Sequence, residues 1–409
     1  MRQDRWRVYI KPFDIDGSYL SYIDVTDDVA FESVGNITQN LDSADFDVGI
    51  FRNSAILIKL RNDHGRYSDI DVEQSIFRYK RSGSLLKITY AIEMEAPLCG
   101  VALLGDSYLD DGEEHEIFIG LLNDESLAMD IDQQVVNFQA LGRDSILDRM
   151  KVPIGSLANG DLISAVIYDC LNDTDLTALL TLSVANITVS TDVAVSDVSK
   201  FENKTVKAVL DELLLAGNSV LYVKDGTIYV KPRTATAAVQ AAFYGQASNL
   251  GAENVSTIKA IKNGLSRTFN LWAWKDTALY AEETTSSGKY GIRRKELSYD
   301  WMTNNTHRQT ILTNLKGEFG LPKIEFDLFT PLSIDSLDLD LLDRVTIDYP
   351  TVYIEGEVEF PICGIAICGD AVLPKALWSF TIDSSTPFKI IGKDIDIKKS
   401  EIKFKLREI

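Results

Sequence analysis

The chain is poor in the residues and runs that announce the commoner protein classes. Four cysteines, Cys99, Cys170, Cys363 and Cys368, are spread over 409 residues, too few and too scattered for the disulfide framework of a secreted domain. Cys363 and Cys368 are close enough to meet across a hairpin, but the set as a whole reads as buried free thiols in a chain that folds in a reducing compartment. No apolar run reaches the ~20 residues of a membrane helix. The most apolar stretch, FPICGIAICGDAVLPKALW, is cut by Pro361, Gly364, Gly369, Asp370 and Pro374. The basic start, MRQDRWRVYIKPFDIDG, is not followed by the apolar core of a signal peptide, so no membrane insertion is expected.

Basic residues are also in deficit. Against 61 acidic side chains stand 41 lysines and arginines, a formal net of -20. Such a surface repels nucleic-acid phosphates within a Debye length of roughly 8 Å at physiological salt. That excludes a DNA-gripping protein but not a surface that DNA slides past. The local basic clusters, RYKRSGSLLK, IRRK and KDIDIKKSEIKFKLR, have few interleaved aromatics and read as solvated strand faces or contact points for acidic neighbours.

Motifs for catalysis, cofactors and metals are missing too. There is no phosphate-cradling G-x-x-x-x-G-K-[ST], no G-x-S-x-G and no G-x-G-x-x-G ahead of a helix. The three histidines, His64, His115 and His307, are far apart in sequence. GEEHEIFIG has Ile119 where a zinc protease needs its second histidine, and His115, Ile117 and Ile119 alternate as in a strand. In DIDGSYLSYID, Gly17 is the fourth residue counted from Asp14, where an EF-hand needs its glycine sixth. In ILIKLRNDHGRYSD, His64 reads as an exposed turn residue beside Gly65, which is free to take positive φ. The expectation is therefore no catalytic, cofactor-binding or metal site and no enzymatic activity.

A hydrophobic content of 45% and a charged content of 25% are those of a folded protein, and the length suggests two to four domains. Up to about Met150 the apolar period is two. WRVYIKPF, SYLSYIDV, AILIKL, SLLKITYAIEM, HEIFIGLL and QVVNFQAL read as strands joined by turns, which suggests a closed barrel or sandwich. The period then lengthens. NGDLISAVIYDCLND predicts a helix capped by Asn159 or Asp161. NKTVKAVLDELLLAGN predicts another, with a stripe of Val206, Val209, Leu210, Leu213 and Leu214 that stops at Gly217. SVLYVKDGTIYVKPR predicts a hairpin around Asp225 and Gly226, and TATAAVQAA a linker. A third region has an amphipathic helix, NTHRQTILTNLKGEFG, among strands, ending in SEIKFKLREI, where Ile402, Phe404 and Leu406 alternate with Lys403, Lys405 and Arg407. The fold class expected is mainly β with an α+β insertion: a β-barrel over residues 1–152, a small α/β module over 153–233 and a second β-barrel with an inserted helix over 234–409.

Several stretches resemble a known family. Asp24, Val25, Thr26 and Asp27, followed by Asn62, Gly65, Arg66, Tyr67 and Ser68, resemble the D-V-T-D strand and the N-x-x-G-R-Y-S turn of bacteriophage tail baseplate or tail-tip hub proteins, which are related to the type VI secretion hub. The helix-hairpin stretch TVKAVLDELLLAGNSVLYVKDGTIYVKPR is similar to the central module of such hubs. LDLLDRVTIDYP and IKFKLREI are similar to their C-terminal barrel strands, with Leu341 and Leu342 ahead of Asp343 where the pattern L-G-D-R-V has a glycine.

The resemblance implies a homotrimeric ring at the virion tail tip, assembled in the host cytoplasm. In such a ring two barrels per chain adapt a hexameric tail tube, or distal tail protein, to a threefold central spike or fibre. DNA would pass through the lumen without specific binding, and an acidic lumen would keep it from sticking. Two readings from other classes are a β-rich cell-wall glycan hydrolase or depolymerase using paired acidic residues, and a carbohydrate-binding module.

Overall fold

The computed structural model describes residues 3–14, 18–30, 34–41, 55–62, 65–67, 75–77, 83–93, 114–130, 134–224, 226–234, 236–244, 256–262, 264–354, 378–382 and 385–409. His64, Cys99, Asp225, Cys363 and Cys368 lie outside the described residues. Strand outweighs helix, 40% to 25%, so the molecule is mainly β, with two curled half-barrel sheets and a few helices.

The first part contains β1 (Gln3–Lys11), β2 (Ile23–Asp24), β3 (Ile37–Asn40), β4 (Ala55–Arg61), β5 (Leu85–Glu93), β6 (His115–Asp130) and β7 (Val135–Gly142). Six of these form an antiparallel sheet in the order β2, β1, β5, β6, β7, β4. The period of two is visible in β4, where Ile56, Ile58 and Leu60 are buried and Leu57 and Arg61 are exposed. Register shifts between Ile88 and Thr89 of β5, and between Asn123 and Ala128 of β6, bend the sheet, since an extra residue on one strand raises its local twist. β3 leaves this sheet and pairs with a strand close to the C-terminus.

The central part contains α1 (Ile163–Leu171), α2 (Thr174–Thr177), α3 (Val206–Ala216) and a hairpin of β8 (Ser219–Lys224) and β9 (Thr227–Pro232). Thr205 caps α3 by accepting from the Ala208 amide, and the predicted stripe of Val206, Val209, Leu210, Leu213 and Leu214 is fully buried. Burial of each such side chain contributes about 1.5–3 kcal/mol before chain entropy is counted. The cap of α1 differs from expectation. Asp192 accepts from the Ser164 amide at 2.9 Å and from its hydroxyl at 2.7 Å, while Asn159 accepts from the Val198 amide and Asp161 from that of Ala158. A cap supplied from 28 residues away leaves no local pattern to read.

The remaining elements are β10 (Val239–Tyr244), β11 (Thr257–Lys262), β12 (Leu271–Trp274), β13 (Tyr280–Glu282), α4 (Thr284–Tyr290), β14 (Arg294–Leu297), α5 (Asn305–Phe319), β15 (Glu325–Pro331), α6 (Ile334–Asp338), β16 (Arg344–Ile354), β17 (Trp378–Ile382), β18 (Pro387–Asp396) and β19 (Glu401–Glu408). The second large sheet runs β10, β16, β18, β19, β15, β11, with β17 joined to β16 and β3 to β18. The alanine-rich stretch read as a linker is in part β10. It pairs in parallel with β16 and packs Phe243 against Phe404, ring centroids 5.8 Å apart. Only Phe243 of this edge strand is buried, so its apolar signal is weak.

Two cores result. The first is continuous between both large sheets, from Val8, Ile58 and Phe138 to Ile390, Phe404 and Leu406. The second joins α1, α3 and the hairpin to residues inserted between β11 and β15, namely Trp272, Trp274, Trp301, Ile311, Leu315 and Phe319. The insertion begins at Gly264, whose φ of 66° is open to glycine and whose Cβ position is already filled by the Lys323 carbonyl oxygen. Gly264→Ala is expected to destabilise the chain by more than about 3 kcal/mol in denaturant titration; an unchanged midpoint would show that this crossing tolerates a side chain.

Candidate functional site

The two early motifs of the family resemblance fold against each other. Asp24 accepts from the Thr26 amide at 2.9 Å, and the Thr26 hydroxyl accepts from the Val8 amide at 2.9 Å, which fastens this turn to β1. In the second stretch the Asn62 side chain accepts from the Tyr67 amide at 2.8 Å, and Gly65 turns the chain at φ 70°. Asp28, next after the first motif, receives the Arg66 guanidinium at 2.8 Å and the Tyr67 hydroxyl on the same carboxylate oxygen. Tyr67 is fully buried. Burial, then the bond to Asp28, holds its hydroxyl well above the ordinary phenol range.

A second junction joins α5 to the second large sheet through buried charge. Lys389 of β18 donates to Glu318 of α5 at 2.7 Å and to the Arg233 carbonyl at 2.6 Å. On the same rung of the sheet, Glu325 of β15 lies between Arg267 at 3.5 Å and Arg407 of β19 at 3.6 Å, with all three side chains at most 7% exposed. The Arg233 and Arg407 guanidinium groups stand 5.7 and 5.3 Å from the Phe319 ring centre. Arg407 has the outward register expected of it but is buried, because the insertion covers that end of the sheet. Burial pushes Lys389 down to about 8. Burial alone would raise Glu318; the fields of Lys389, Lys323 and Arg407 more than reverse this and keep it below the usual carboxylate range.

A third junction surrounds a cavity of about 230 Å³ where β6, the hairpin and the α6 region converge. Its cations already have work. Arg143 donates to the Leu179 carbonyl at 3.0 Å and pairs with Glu116 at 3.4 Å. Lys224 pairs with Asp340 at 2.8 Å, and Lys393 donates to the Leu337 and Leu339 carbonyls. Buried Asp144 on the same wall is raised to about 7, chiefly by desolvation. The segment gripped here ends at Leu342, whose φ of 72° takes the left-handed place that the glycine of L-G-D-R-V would fill, and β16 starts two residues later at Arg344.

His115 opens β6 in the strand conformation expected, lining this cavity, and His307 sits in the first turn of α5 with its amide donating to Asn304. Cys170 is buried and free in α1. Among the described residues no group of three or more His, Cys, Asp or Glu is placed to hold a metal ion, and no helix is long and apolar enough to cross a membrane. The groups that sequence reading did not single out are Glu318 and Lys389. Their partners lie 71 residues apart, and each reads locally as an ordinary surface charge.

The fold is similar to that of phage tail proteins of known structure. The chain is similar to a tail protein from Neisseria meningitidis at a TM-score of 0.51 and 10% identity, over 98% of this chain and 96% of that one. It is also similar to the 43 kDa tail protein of prophage MuSo2 from Shewanella oneidensis, with TM-score 0.47 and 10% identity over 99% and 98% of the two chains. A prophage tail protein, gp18, from Listeria monocytogenes gives TM-score 0.48 and 12% identity over 98% and 94%. No protein-family model matches the chain, and no curated protein matches it by sequence.

Two expectations follow from the junctions. Asp28→Asn weakens the bonds from both Arg66 and Tyr67 and is expected to cost about 1–3 kcal/mol in denaturant titration; no cost would mean that the two turns hold without it. The second concerns pH. The folded chain releases the Lys389 proton at about 8, whereas an unfolded lysine keeps its proton to about 10.4. Between these values the unfolded state binds more protons, so this group makes stability rise with pH. Tyrosines raised by burial, such as Tyr67 and Tyr299, act the other way above the ordinary phenol range of about 10. Unfolding free energies at pH 8.5 and 9.5 are expected to show the lysine contribution as a difference in slope between the wild-type chain and Lys389→Met; equal slopes would contradict it.

Proposed function

We propose that this chain is a structural hub of a phage tail tip or baseplate: a homotrimeric ring that adapts a hexameric tail tube, or a distal tail protein, to a threefold central spike or fibre. The observation that carries this reading is the full-length likeness, at a TM-score of 0.51, to a phage tail protein. Two curled sheets in one chain supply six such sheets from three copies, which meets sixfold geometry on one side and threefold geometry on the other. DNA passes through the lumen without specific binding, and the net charge of -20 disfavours adhesion of its phosphates.

A non-enzymatic role agrees with how the charged groups of the junction cavity are used. Arg143, Lys224 and Lys393 hold carbonyls and carboxylates of neighbouring elements together. Such groups dock parts of a scaffold. Native mass measurement on the purified chain is expected to give three times the chain mass, with co-assembly on addition of tail-tube subunits. A monomer that clears a cell-wall zymogram, and loses that activity on substitution of a single acidic residue, would overturn the reading in favour of a glycan hydrolase.

A further inference from the structure

The outer face of the first sheet carries a group of tyrosines and lysines that none of the three junctions uses. Alternation along β1 and β5 sends Val8, Ile10, Leu86 and Ile88 into the core and leaves Tyr9, Lys11 and Lys87 on the other side, where register sets Tyr9 opposite Lys87. After β1 the chain doubles back, with Phe13 bridged to Tyr19, and brings Tyr19 and Tyr22 against these lysines before β2 begins. The Lys11 ammonium lies 5.2 Å from the Tyr22 ring centre and 5.4 Å from that of Tyr19. The Lys87 ammonium lies 4.8 Å from Tyr22 and 5.0 Å from Tyr9. Tyr22 thus stands between two cations.

The polar groups around it are unevenly used. Tyr9 donates its hydroxyl to Glu114 at 3.1 Å, and Tyr19 donates to the Gly83 carbonyl at 3.0 Å. Among the described residues the Tyr22 hydroxyl has no hydrogen-bond partner, and its side chain is 37% exposed. Neither Lys11 nor Lys87 has a carboxylate within ion-pair reach among these residues, in a chain with 61 acidic side chains. Two uncompensated ammonium groups beside one ring favour an anion, since hydrogen bonds between charged partners are the strong ones. The ring itself offers a negative face that attracts polarised C–H groups. Glu114, fixed by Tyr9, Thr89 and Arg7, adds an acceptor on the same face. A phosphodiester has only acceptors to offer and would leave Glu114 repelled, and an acidic peptide would leave the ring face unmatched. A sugar acid has carboxylate, hydroxyl donors and a C–H face together.

We propose that Tyr22, Lys11 and Lys87 form a binding site for a glycan that carries a hexuronic acid. Its carboxylate lies between the two ammonium groups, its C–H face on Tyr22, and its hydroxyls donate to Glu114. This site requires neither the ring nor the adapter role.

The test is calorimetric titration of the full chain with trigalacturonic and trimannuronic acids, with neutral galactotriose for comparison. Binding of at least one of the acids is expected, with the neutral sugar about tenfold weaker or more. Lys11→Gln/Lys87→Gln and Tyr22→Ala, with circular dichroism confirming the fold, are each expected to weaken it by about tenfold. In the wild-type chain the bound acid is expected to protect Lys11 and Lys87 from acetylation while exposed Lys275 reacts as before. No binding of either acid at millimolar concentration, or folded variants that bind like the wild type, would overturn the site. Tetraglutamate or oligothymidylate binding as tightly, with the same losses in the variants, would overturn the glycan in favour of an acidic peptide or a single-stranded nucleic acid.

Discussion

Lys389 and Glu318, a lysine and a glutamate buried together, hold the inserted helix α5 against the second large sheet, and the arrangement of the central module follows from that contact. Taking two charges out of water costs several kcal/mol per ion. Here the cost is offset by a short mutual bond, by the Arg233 carbonyl as a second acceptor, and by the neighbouring Arg267, Glu325 and Arg407. Apolar packing of the same volume would serve stability about as well. What the buried charges add is discrimination: an α5 shifted by one turn would leave Lys389 and Glu318 desolvated and apart.

The same logic recurs at the other junctions. Asp28 ties the turn after Asp27 to the turn at Arg66 and Tyr67, and Lys224 and Lys393 grip the segment that ends at Leu342. β3 adds a backbone link, since a strand from the first part of the chain completes the second sheet by pairing with β18. With one apolar core running through both sheets, the parts are joined at several points. The adapter role proposed above would draw on this property, because it consists in holding two surfaces in fixed relation.

Much of this architecture was legible in the sequence. The strands β1, β4, β5, β6 and β7, the helices α1, α3 and α5, the β8–β9 hairpin and the alternation of β19 all follow from local apolar periods. Those periods are local because burial of one face dictates them residue by residue. What escaped depends on distant partners. β10 has a single buried aromatic and is a strand because β16 offers it a parallel edge. The cap of α1 comes from Asp192. Arg407 follows the alternation faithfully and is buried all the same, since no local pattern says what will cover the outer face. The turn motifs were readable as motifs; that Asp28 would join them was not.

Native-state hydrogen exchange tests the central contact most directly. If the buried pair fixes α5 on the sheet, the amides of Ile311, Leu312, Leu315 and Phe319 open in one cooperative step with those of β15 and β19, at the same free energy and with the same dependence on denaturant. Exchange in α5 at a markedly lower opening free energy than in β15 and β19 would show that the module moves independently of the sheet, and would contradict this account.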